Sequence, residues 1–325
     1  MFDVITIGSA TRDVFITSPD FVILKDERFK TGSALAMTLG TKIHVDKIVM
    51  TPGGGATNVA IGLSRQGLAA SCVAIIGKDI VGEEIKNALN AENVDTRFFV
   101  THGDDLSGYS TILFDGASGE RTIVTYKGEG QHFSKDTVDV SKLDAKWIFV
   151  DNVGGNIEFI GEIINHARDR GIKLATNPGT LELALGFEKL QPLLSACEIV
   201  LMNQEEASLL SGIDYNDEAG IFKFMDEKIG GIFVMTKGRA GVSVSDGKNI
   251  YRAGIPDSPV VERTGAGDAF SSGFISEYIR SGDIQKSIQM ATANSSSVVT
   301  KYGPIEGLLK EDNPGQWPLV DVEIK

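Results

Sequence analysis

The chain has 325 residues and a formal net charge of −13, and 42% of its residues are hydrophobic. This composition predicts a globular protein with an extensive core, either one large α/β domain or two smaller ones. The acidic charge disfavours nucleic acid and anionic membranes as partners.

Both cysteines, Cys72 and Cys197, lie in apolar runs. This placement predicts small buried core residues instead of a disulfide, and therefore a reducing, cytoplasmic location. No stretch approaches the ~18 apolar residues of a membrane span, and the first residues form a strand pattern without the basic start of a secretion signal.

Short apolar strands alternate with amphipathic helices along most of the chain, a pattern typical of a mainly parallel sheet covered by helices. The predicted strands are residues 3–8, 72–76, 146–150, 172–176, 198–202 and 231–236. The predicted helices are residues 57–66, 79–91, 156–169, 203–211, 217–229, 267–280 and 284–300. The predicted fold class is therefore α/β.

Two regions interrupt this alternation, residues 13–50 and 97–127. The second contains extended segments at 109–114 and 121–126, separated by Asp115-Gly-Ala-Ser-Gly, which indicates a hairpin. We predict that both regions form a small β-sheet outside the main one. Such a sheet could close over a site as a lid, and a sheet extension without a function is the alternative.

The strongest functional signal is Glu262-Arg-Thr-Gly-Ala-Gly-Asp268, which leads into the helix predicted at 267–280. Small residues let the backbone approach a ligand closely, and the first N–H groups of a helix face outward, so this run predicts an anion pocket. Such donors stabilise the charge on a phosphoryl group during its transfer. Asp268 could accept a proton from an attacking hydroxyl, or it could merely complement the helix dipole.

A second glycine-rich segment, Pro52-Gly53-Gly54-Gly55-Ala-Thr-Asn58, also leads into a predicted helix. Asn58 offers a donor and an acceptor suited to sugar hydroxyls, although a segment of this kind can also be only a tight turn. The chain has no G-x-x-x-x-G-K-[ST] phosphate loop, and its first strand–helix turn has no G-x-G-x-x-G. A Walker-type ATP site and a dinucleotide dehydrogenase are therefore disfavoured.

Together the two segments resemble the ribokinase-like (PfkB) family of carbohydrate and nucleoside kinases, which has an early Gly-Gly-x-x-x-Asn and a late D-T-x-G-A-G-D pattern. Three more segments match this family in order: Gly8-Ser-Ala-Thr-Arg-Asp13, Asn203-Gln-Glu-Glu206 and Thr236-Lys237-Gly238. The resemblance covers nearly the whole chain. It implies a single kinase domain over residues 1–325, with three α/β/α layers and a small β-sheet lid from about 13–50 and 97–127.

The resemblance also implies roles for individual residues in the transfer of the ATP γ-phosphoryl group to a hydroxyl of a small sugar. Asp268 would be the general base, and the anion hole would comprise Gly265, Ala266 and Gly267. The residues implied at the nucleotide are Asn203, Glu206, Thr236, Lys237, Gly238, Thr264 and Asn294, of which Asn203 and Glu206 would also hold Mg²⁺ through water. The residues implied at the acceptor are Asp13, Gly53, Gly54, Asn58 and Arg121, with Lys127 beside Arg121 in the lid.

Several alternatives stay open at this point. The acceptor can be a sugar or a ribonucleoside such as adenosine, inosine or cytidine, and a non-catalytic sugar or nucleotide sensor is a third hypothesis. Glu262 and Arg263 replace the usual Asp and Thr, which leaves K⁺ dependence open. Asn177-Pro-Gly-Thr lacks the Arg of fructokinase-like members, so fructose is a weaker candidate. Exposed lid strands favour a homodimer through the lid, with a monomer as the alternative.

Overall fold

The computed structural model describes residues 1–29, 31–115, 121–311 and 313–325. Its strands are β1 (Phe2–Ile7), β2 (Thr11–Thr17), β3 (Val22–Lys25), β4 (Ser33–Ala36), β5 (Lys47–Gly53), β6 (Ala70–Val73), β7 (Ile75–Ile76), β8 (Val100–Thr101), β9 (Gly108–Phe114), β10 (Arg121–Tyr126), β11 (Ala145–Val150), β12 (Lys173–Thr176), β13 (Ile199–Asn203), β14 (Ile232–Thr236), β15 (Val242–Ser245), β16 (Ile250–Ala253) and β17 (Val322–Ile324). Its helices are α1 (Gly55–Arg65), α2 (Ile80–Ala91), α3 (Ile157–Arg170), α4 (Thr180–Leu183), α5 (Phe187–Ala196), α6 (Gln204–Ser211), α7 (Glu218–Lys228), α8 (Ala266–Ser281) and α9 (Ile284–Val298), with 3₁₀ turns at Gly128–Gln131, Val140–Lys142 and Gly238–Ala240.

The central sheet has nine strands in the order β17-β16-β15-β14-β13-β12-β11-β1-β6. Neighbouring strands from β14 to β6 are parallel, whereas β15, β16 and β17 extend one edge in antiparallel pairs. Helices connect the parallel strands, because a parallel pair requires a crossover. This architecture confirms the predicted α/β fold class and the mainly parallel sheet.

Helices cover both faces of the central sheet, because successive side chains of a strand point to opposite faces. In β1, Ile5 and Ile7 belong to the core that contains α3, α5, α6 and α7, whereas Val4 belongs to the core that contains α1, α8 and α9. All three side chains are fully buried. The result is the predicted arrangement of three layers.

A separate four-stranded sheet, called the small sheet below, has the order β10-β9-β2-β5. It is formed by the two regions that interrupt the α/β pattern. β9 and β10 pair antiparallel, with Tyr109 opposite Tyr126 and Phe114 opposite Arg121, as the hairpin prediction requires. Of the predicted turn from Asp115 to Gly119, residues 116–119 lie outside the described residues. β3 and β4 form a further hairpin within 13–50.

The structure differs from the predicted elements at several places, among them the helices α4 and α5, which were not predicted. The predicted strand 72–76 is divided, since β6 pairs with β1 while β7 pairs with β8. The edge strands β15 and β16 were not among the predicted ones, because each spans only four residues and so short a pattern does not indicate a strand by itself.

The structure also tests the predictions for the two cysteines and for membrane spans. Cys72 and Cys197 are both free and buried, which confirms that they are core residues. Across the described ranges, every helix falls short of the length or the apolar character that a membrane crossing requires.

Candidate active site

Two cavities lie at the carboxyl ends of the central strands, the usual place for ligands of an open α/β sheet. The first cavity has a volume of about 290 Å³, and its lining includes Thr264 and Asp268. The second has a volume of about 380 Å³, and its lining includes Ala266 and Gly267. The segment 264–268 is therefore the wall between the two cavities.

The backbone of this segment turns sharply into helix α8 at Gly265. Gly265 has a φ of 76°, in the left-handed region, and it is the N-cap residue of α8. An added Cβ would lie 2.3 Å from the Cβ of Pro304, so a side chain fits neither the conformation nor the space. Within the described residues, the Ala266 N–H donates to Arg263 O at 3.3 Å, while the N–H groups of Gly267 and Asp268 have no partner. These two donors make the helix start suited to a phosphate.

Asp268 stands in the first turn of α8 and faces the first cavity. Its Oδ2 accepts a hydrogen bond of 2.7 Å from the side-chain amide of Asn58. Burial raises the pKa of Asp268 to about 7, and the carboxylates of Asp151 and Asp13 add to this effect while the Asn58 hydrogen bond opposes it. A carboxylate with such a pKa is suited to general-base chemistry near neutral pH.

Asn58 has a second polar atom at the same cavity. Within the described part of the chain, its side-chain Oδ1 is buried and has no hydrogen-bond partner. Asn58 is 4% exposed and lines the first cavity. A buried acceptor without a partner costs free energy unless a ligand satisfies it, so Oδ1 is suited to a hydroxyl of a bound molecule.

The inner face of the small sheet forms the opposite wall of the first cavity. Asp13 of β2 pairs with Ser110 of β9, and Ser110 pairs with Thr125 of β10, so their side chains share one face. All three residues line the cavity, together with Lys127. Asp13 is nearly buried, its Oδ1 accepts a hydrogen bond of 2.8 Å from Thr11 Oγ1, and burial raises its pKa.

The glycine-rich segment before α1 holds these groups close together. Gly53 packs directly against Asp13, since an added Cβ would lie 2.1 Å from Asp13 Oδ2. Gly54 is the N-cap residue of α1 and lines the first cavity. The segment therefore brings Asp13 and Asn58 to one site, as the sequence predicts.

Asp151 is a carboxylate of the first cavity that the sequence analysis missed. It directly follows β11, and its Oδ2 accepts hydrogen bonds from Ser9 Oγ at 2.6 Å and from the Ala56 N–H at 3.2 Å. Ser9 follows β1, the neighbour of β11 in the sheet. An acidic residue directly after a buried parallel strand was the available signal, because such strand ends meet at one edge.

Glu262 lies behind the wall segment and is almost fully buried. Its Oε1 accepts hydrogen bonds from the Thr264 N–H at 2.7 Å and from Thr264 Oγ1 at 2.6 Å. Arg121 reaches the same carboxylate from the small sheet, with Nε 3.5 Å from Oε1. Glu262 thus fixes the start of the wall segment and links it to β10.

On the other side of the wall, Asn203, Thr236 and Gly238 line the second cavity. Asn203 caps helix α6, because its Oδ1 accepts from the Glu206 N–H at 2.9 Å while Glu206 Oε2 accepts from the Asn203 N–H at 2.8 Å. Burial raises the pKa of Glu206. This capping box explains why the Asn-x-x-Glu spacing is needed at the end of β13.

A family pattern described as pfkB family carbohydrate kinase matches residues 1–311 of the chain. The chain belongs to this family. The match confirms the resemblance stated from the sequence, and it assigns the chain to the ATP-dependent phosphotransferases. It also favours an enzyme over the non-catalytic sensor.

Individual relatives of this pfkB kinase agree with the family assignment. It is similar to the ribokinase of Haemophilus influenzae, with 28% identity over 261 residues that cover 77% of this chain and 82% of the relative. It is also similar to the nucleoside kinase of Methanothermobacter thermautotrophicus, with 25% identity and 88% of each chain covered. The structure of Arabidopsis thaliana ribokinase complexed with ribose and ATP superposes with a TM-score of 0.74 at 19% identity, over 95% of this chain and 96% of that one. This last comparison confirms the ribokinase-like fold.

Several predicted site residues of the pfkB kinase lie elsewhere than expected. Thr264, implied at the nucleotide, lines the first cavity, and Glu206 is not among the described lining residues of either cavity. Lys237 Nζ contacts Glu218 at 3.0 Å and Ser243 at 2.9 Å, so only its neighbours Thr236 and Gly238 line the second cavity. Asn294 is fully buried and holds α8 to α9 by donating to Ala269 O at 2.7 Å. The cavity is lined instead by Thr292 and Ser295 of the same helix, because a helix turns successive side chains to different directions.

Arg121, implied at the acceptor, also differs from its prediction, since it lines the second cavity and not the first. It lies on the same face of β10 as Thr125, but four residues away, or about 13 Å along the strand. Arg121 is therefore at the second cavity, whereas Lys127, which directly follows β10, is at the first.

Proposed function

We propose that this pfkB kinase transfers the γ-phosphoryl group of ATP to a hydroxyl of a small sugar, with the sugar in the first cavity and ATP in the second. The observation that carries this proposal is the wall segment 264–268. Asp268 and Thr264 line one cavity while Ala266 and Gly267 line the other. A group transferred between the cavities would pass the helix start, where backbone donors and a base lie together.

The lining of the first cavity supports a sugar over a nucleoside. Its side chains are polar, and among the described lining residues none is aromatic or aliphatic. Sugar hydroxyls can donate to the carboxylates of Asp13 and Asp151 and to Asn58 Oδ1. A nucleobase, by contrast, is usually held by stacking on aromatic or apolar side chains. A ribonucleoside remains the second candidate, since a relative is a nucleoside kinase.

In the proposed reaction, Asp268 removes the proton of the acceptor hydroxyl as its oxygen attacks the γ-phosphorus. The new oxygen–phosphorus bond forms while the bond to the β–γ bridging oxygen breaks, and ADP leaves. Backbone N–H groups of 265–268 stabilise the charge on the transferred phosphoryl oxygens. Asn58 orients Asp268 through the 2.7 Å hydrogen bond.

The second cavity suits a nucleotide because it combines polar and apolar parts. Thr236, Gly238 and Arg121 are near the wall. An adjoining cavity of about 150 Å³ is lined by Ile255, Val260 and Val299, which offers an apolar place for the adenine ring. We propose that the phosphates lie at the wall and the base in the adjoining cavity.

Mg²⁺ would be held near Asn203 and Glu206, through water. The side chains of Asn203 and Glu206 carry oxygen atoms, which suit this ion. Glu206 Oε2 accepts a hydrogen bond from the Asn203 N–H, and Glu206 Oε1 can bind a water of the ion. When bound, Mg²⁺ neutralises phosphate charge.

The pairing of Arg121 with Glu262 supports the proposal that turnover does not require K⁺. Both Arg121 Nε and Glu262 Oε2 are buried and without a hydrogen-bond partner in the described residues, and the two side chains are already 3.5 Å apart. A small movement of Arg121 would satisfy both atoms with a bidentate pair. Equal rates in K⁺ and in choline salts would support this proposal, and a strict K⁺ requirement would contradict it.

We further propose that the small sheet, formed from residues 13–50 and 97–127 of a single domain, is a lid that also mediates a homodimer. Its inner face lines the first cavity, so its movement would control access of water. Its outer side exposes Ile48, Met50 and Val124, each more than half exposed, and a second copy of the chain can cover such an apolar patch. Analytical ultracentrifugation with Val124→Glu tests this. A dimer that persists unchanged in the variant, or a monomeric wild type, would contradict it.

A cytoplasmic location fits this enzyme. Both cysteines are free and buried, as in proteins of reducing compartments, and ATP is the phosphoryl donor of the family. Fractionation of cells that carry the tagged chain tests this location.

The acceptor class is tested by a coupled assay of ADP release with pentoses, hexoses and ribonucleosides. We expect turnover with one or more free sugars. Turnover with nucleosides alone would replace the sugar by the second candidate and keep the kinase. No ADP release with any acceptor would contradict both.

A further inference from the structure

A cluster of polar side chains lies outside the linings of the two cavities. His102 follows β8, and Glu129 and His132 belong to the 3₁₀ turn after Lys127 and to its end. Glu129 Oε2 lies 2.7 Å from His102 Nδ1 and 2.9 Å from His132 Nδ1. Two imidazoles from separate segments thus meet at one carboxylate oxygen.

The carboxylate of this cluster is buried, whereas its two imidazoles are partly exposed to solvent. Glu129 is 3% exposed, and its Oε1 accepts a hydrogen bond of 3.0 Å from the Asp105 N–H. The side chains of His102 and His132 are 42% and 48% exposed. An ion from solvent can therefore reach the two nitrogens, while the carboxylate is already oriented by its outer partner.

We propose that His102, Glu129 and His132 bind a divalent transition-metal ion of the Zn²⁺ or Co²⁺ type. Their three ligand atoms lie within 4.8 Å of one another. Imidazole nitrogens suit Zn²⁺ and Co²⁺, whereas Mg²⁺ and Ca²⁺ prefer oxygen donors. Two His and one Glu leave a fourth position for water.

Only small side-chain movements separate the observed geometry from a metal complex. Two ligands at about 2.1 Å from a tetrahedral Zn²⁺ lie roughly 3.4 Å apart. The observed distances from Oε2 to the two Nδ1 atoms are 2.7 Å and 2.9 Å. Each imidazole would therefore retreat by roughly 0.5–0.7 Å, within the reach of a half-exposed side chain.

The ion would strengthen the connection between the loop before β9 and the turn after β10, at one end of the small sheet. Glu129 N–H donates to Leu106 O at 3.0 Å, which already joins the loop before β9 to the turn after β10. Lys127, directly before this turn, lines the first cavity. The metal site is thus a structural site next to the acceptor side, separate from the Mg²⁺ at the nucleotide, and it does not depend on the proposed acceptor.

Calorimetric titration of the chelator-treated full chain with Zn²⁺ and Co²⁺, without nucleotide, tests the proposal. We expect one ion per chain, and at least about tenfold weaker binding in His102→Gln and in His132→Gln, since even outer partners of a metal contribute about 10–100-fold. His44→Gln is the matched control, because His44 is an exposed histidine 3.9 Å from Asp46. It should bind like the wild type.

A measurement on the wild type keeps the test valid if a variant folds poorly. The chain has four histidines, and Co²⁺ should broaden the ring proton signals of His102 and His132 while those of His44 and His166 stay sharp. No binding at micromolar metal, equal affinity in the His102 and His132 variants, or broadening centred on His44 would overturn the proposal. The cluster would then be a hydrogen-bonded contact only.

Discussion

The side-chain amide of Asn58 donates a 2.7 Å hydrogen bond to Asp268, which is 210 positions away in the chain. Asn58 belongs to α1 and Asp268 to α8. These two helices contact each other, and Val59 of α1 and Phe270 of α8 belong to one buried cluster. Each helix follows one of the two glycine-rich segments. The contact therefore joins the acceptor side of the site to the proposed base.

The pH dependence of catalysis follows from the pKa of Asp268. Burial raises this pKa to about 7, and the base must be ionised to accept a proton. We expect kcat/KM to rise with pH, about tenfold per pH unit well below the pKa, and to level off above it. Steady-state rates between about pH 5.5 and pH 9 provide the check, and a flat profile over this range would speak against Asp268 as the base.

Asn58→Ala should move this profile to higher pH, because the Asn58 hydrogen bond lowers the pKa of Asp268. A hydrogen bond to a charged group contributes about 1.5–3 kcal/mol, so the displacement should be about 1–2 pH units. KM for the acceptor should also rise. Asn152→Ala is the control, since Asn152 lines the same cavity and accepts from the Gly154 N–H. An unchanged profile in Asn58→Ala would contradict the role of the hydrogen bond.

Gly265→Ala should lower the free energy of unfolding by about 1–3 kcal/mol, because alanine is strained in the left-handed region. The added methyl would also contact Pro304. Gly267→Ala is a matched control two residues away, since its added Cβ meets nothing within 4 Å. That variant should change stability by less than about 1 kcal/mol. Urea unfolding compares the two, and equal losses would show that the turn at Gly265 is not the cause.

Arg121→Gln and Lys127→Gln should affect different substrates, although Arg121 begins strand β10 and Lys127 directly follows it. Arg121 lines the second cavity and Lys127 the first. We expect KM for ATP to rise about 10–100-fold in Arg121→Gln, the effect of losing one charge-assisted contact. Lys127→Gln should raise KM mainly for the acceptor. The opposite pattern in steady-state kinetics would mean that ATP binds in the first cavity and the acceptor in the second.

Much of the fold could be predicted from residue patterns alone. Helix α8 was expected at 267–280 and is found at Ala266–Ser281, and β13 was expected at 198–202 and is found at Ile199–Asn203. Periodicity and glycine positions are local properties, so they locate such elements well. The pairing of Asn58 with Asp268 was less accessible, because it depends on how α1 and α8 pack.

The residues placed differently show what a motif does not encode. Lys237 lies within a matching segment, yet its side chain pairs with Glu218 of α7. Asn294 is in a helix that lines the second cavity but points to Ala269 and Leu309. Asp151 has no local motif, and its role depends on Ser9 at the neighbouring strand end. In each case the decisive partner is distant in sequence.

The rate of phosphoryl transfer by Asp268→Asn tests the central claim most directly. Asparagine keeps the shape of the side chain but cannot accept the proton, so turnover should fall by about 10²–10⁴-fold, while ATP and acceptor still bind with nearly wild-type affinity by calorimetry. Turnover close to that of the wild type, with the acceptor identified in the ADP-release assay, would contradict the assignment of Asp268 as the catalytic base.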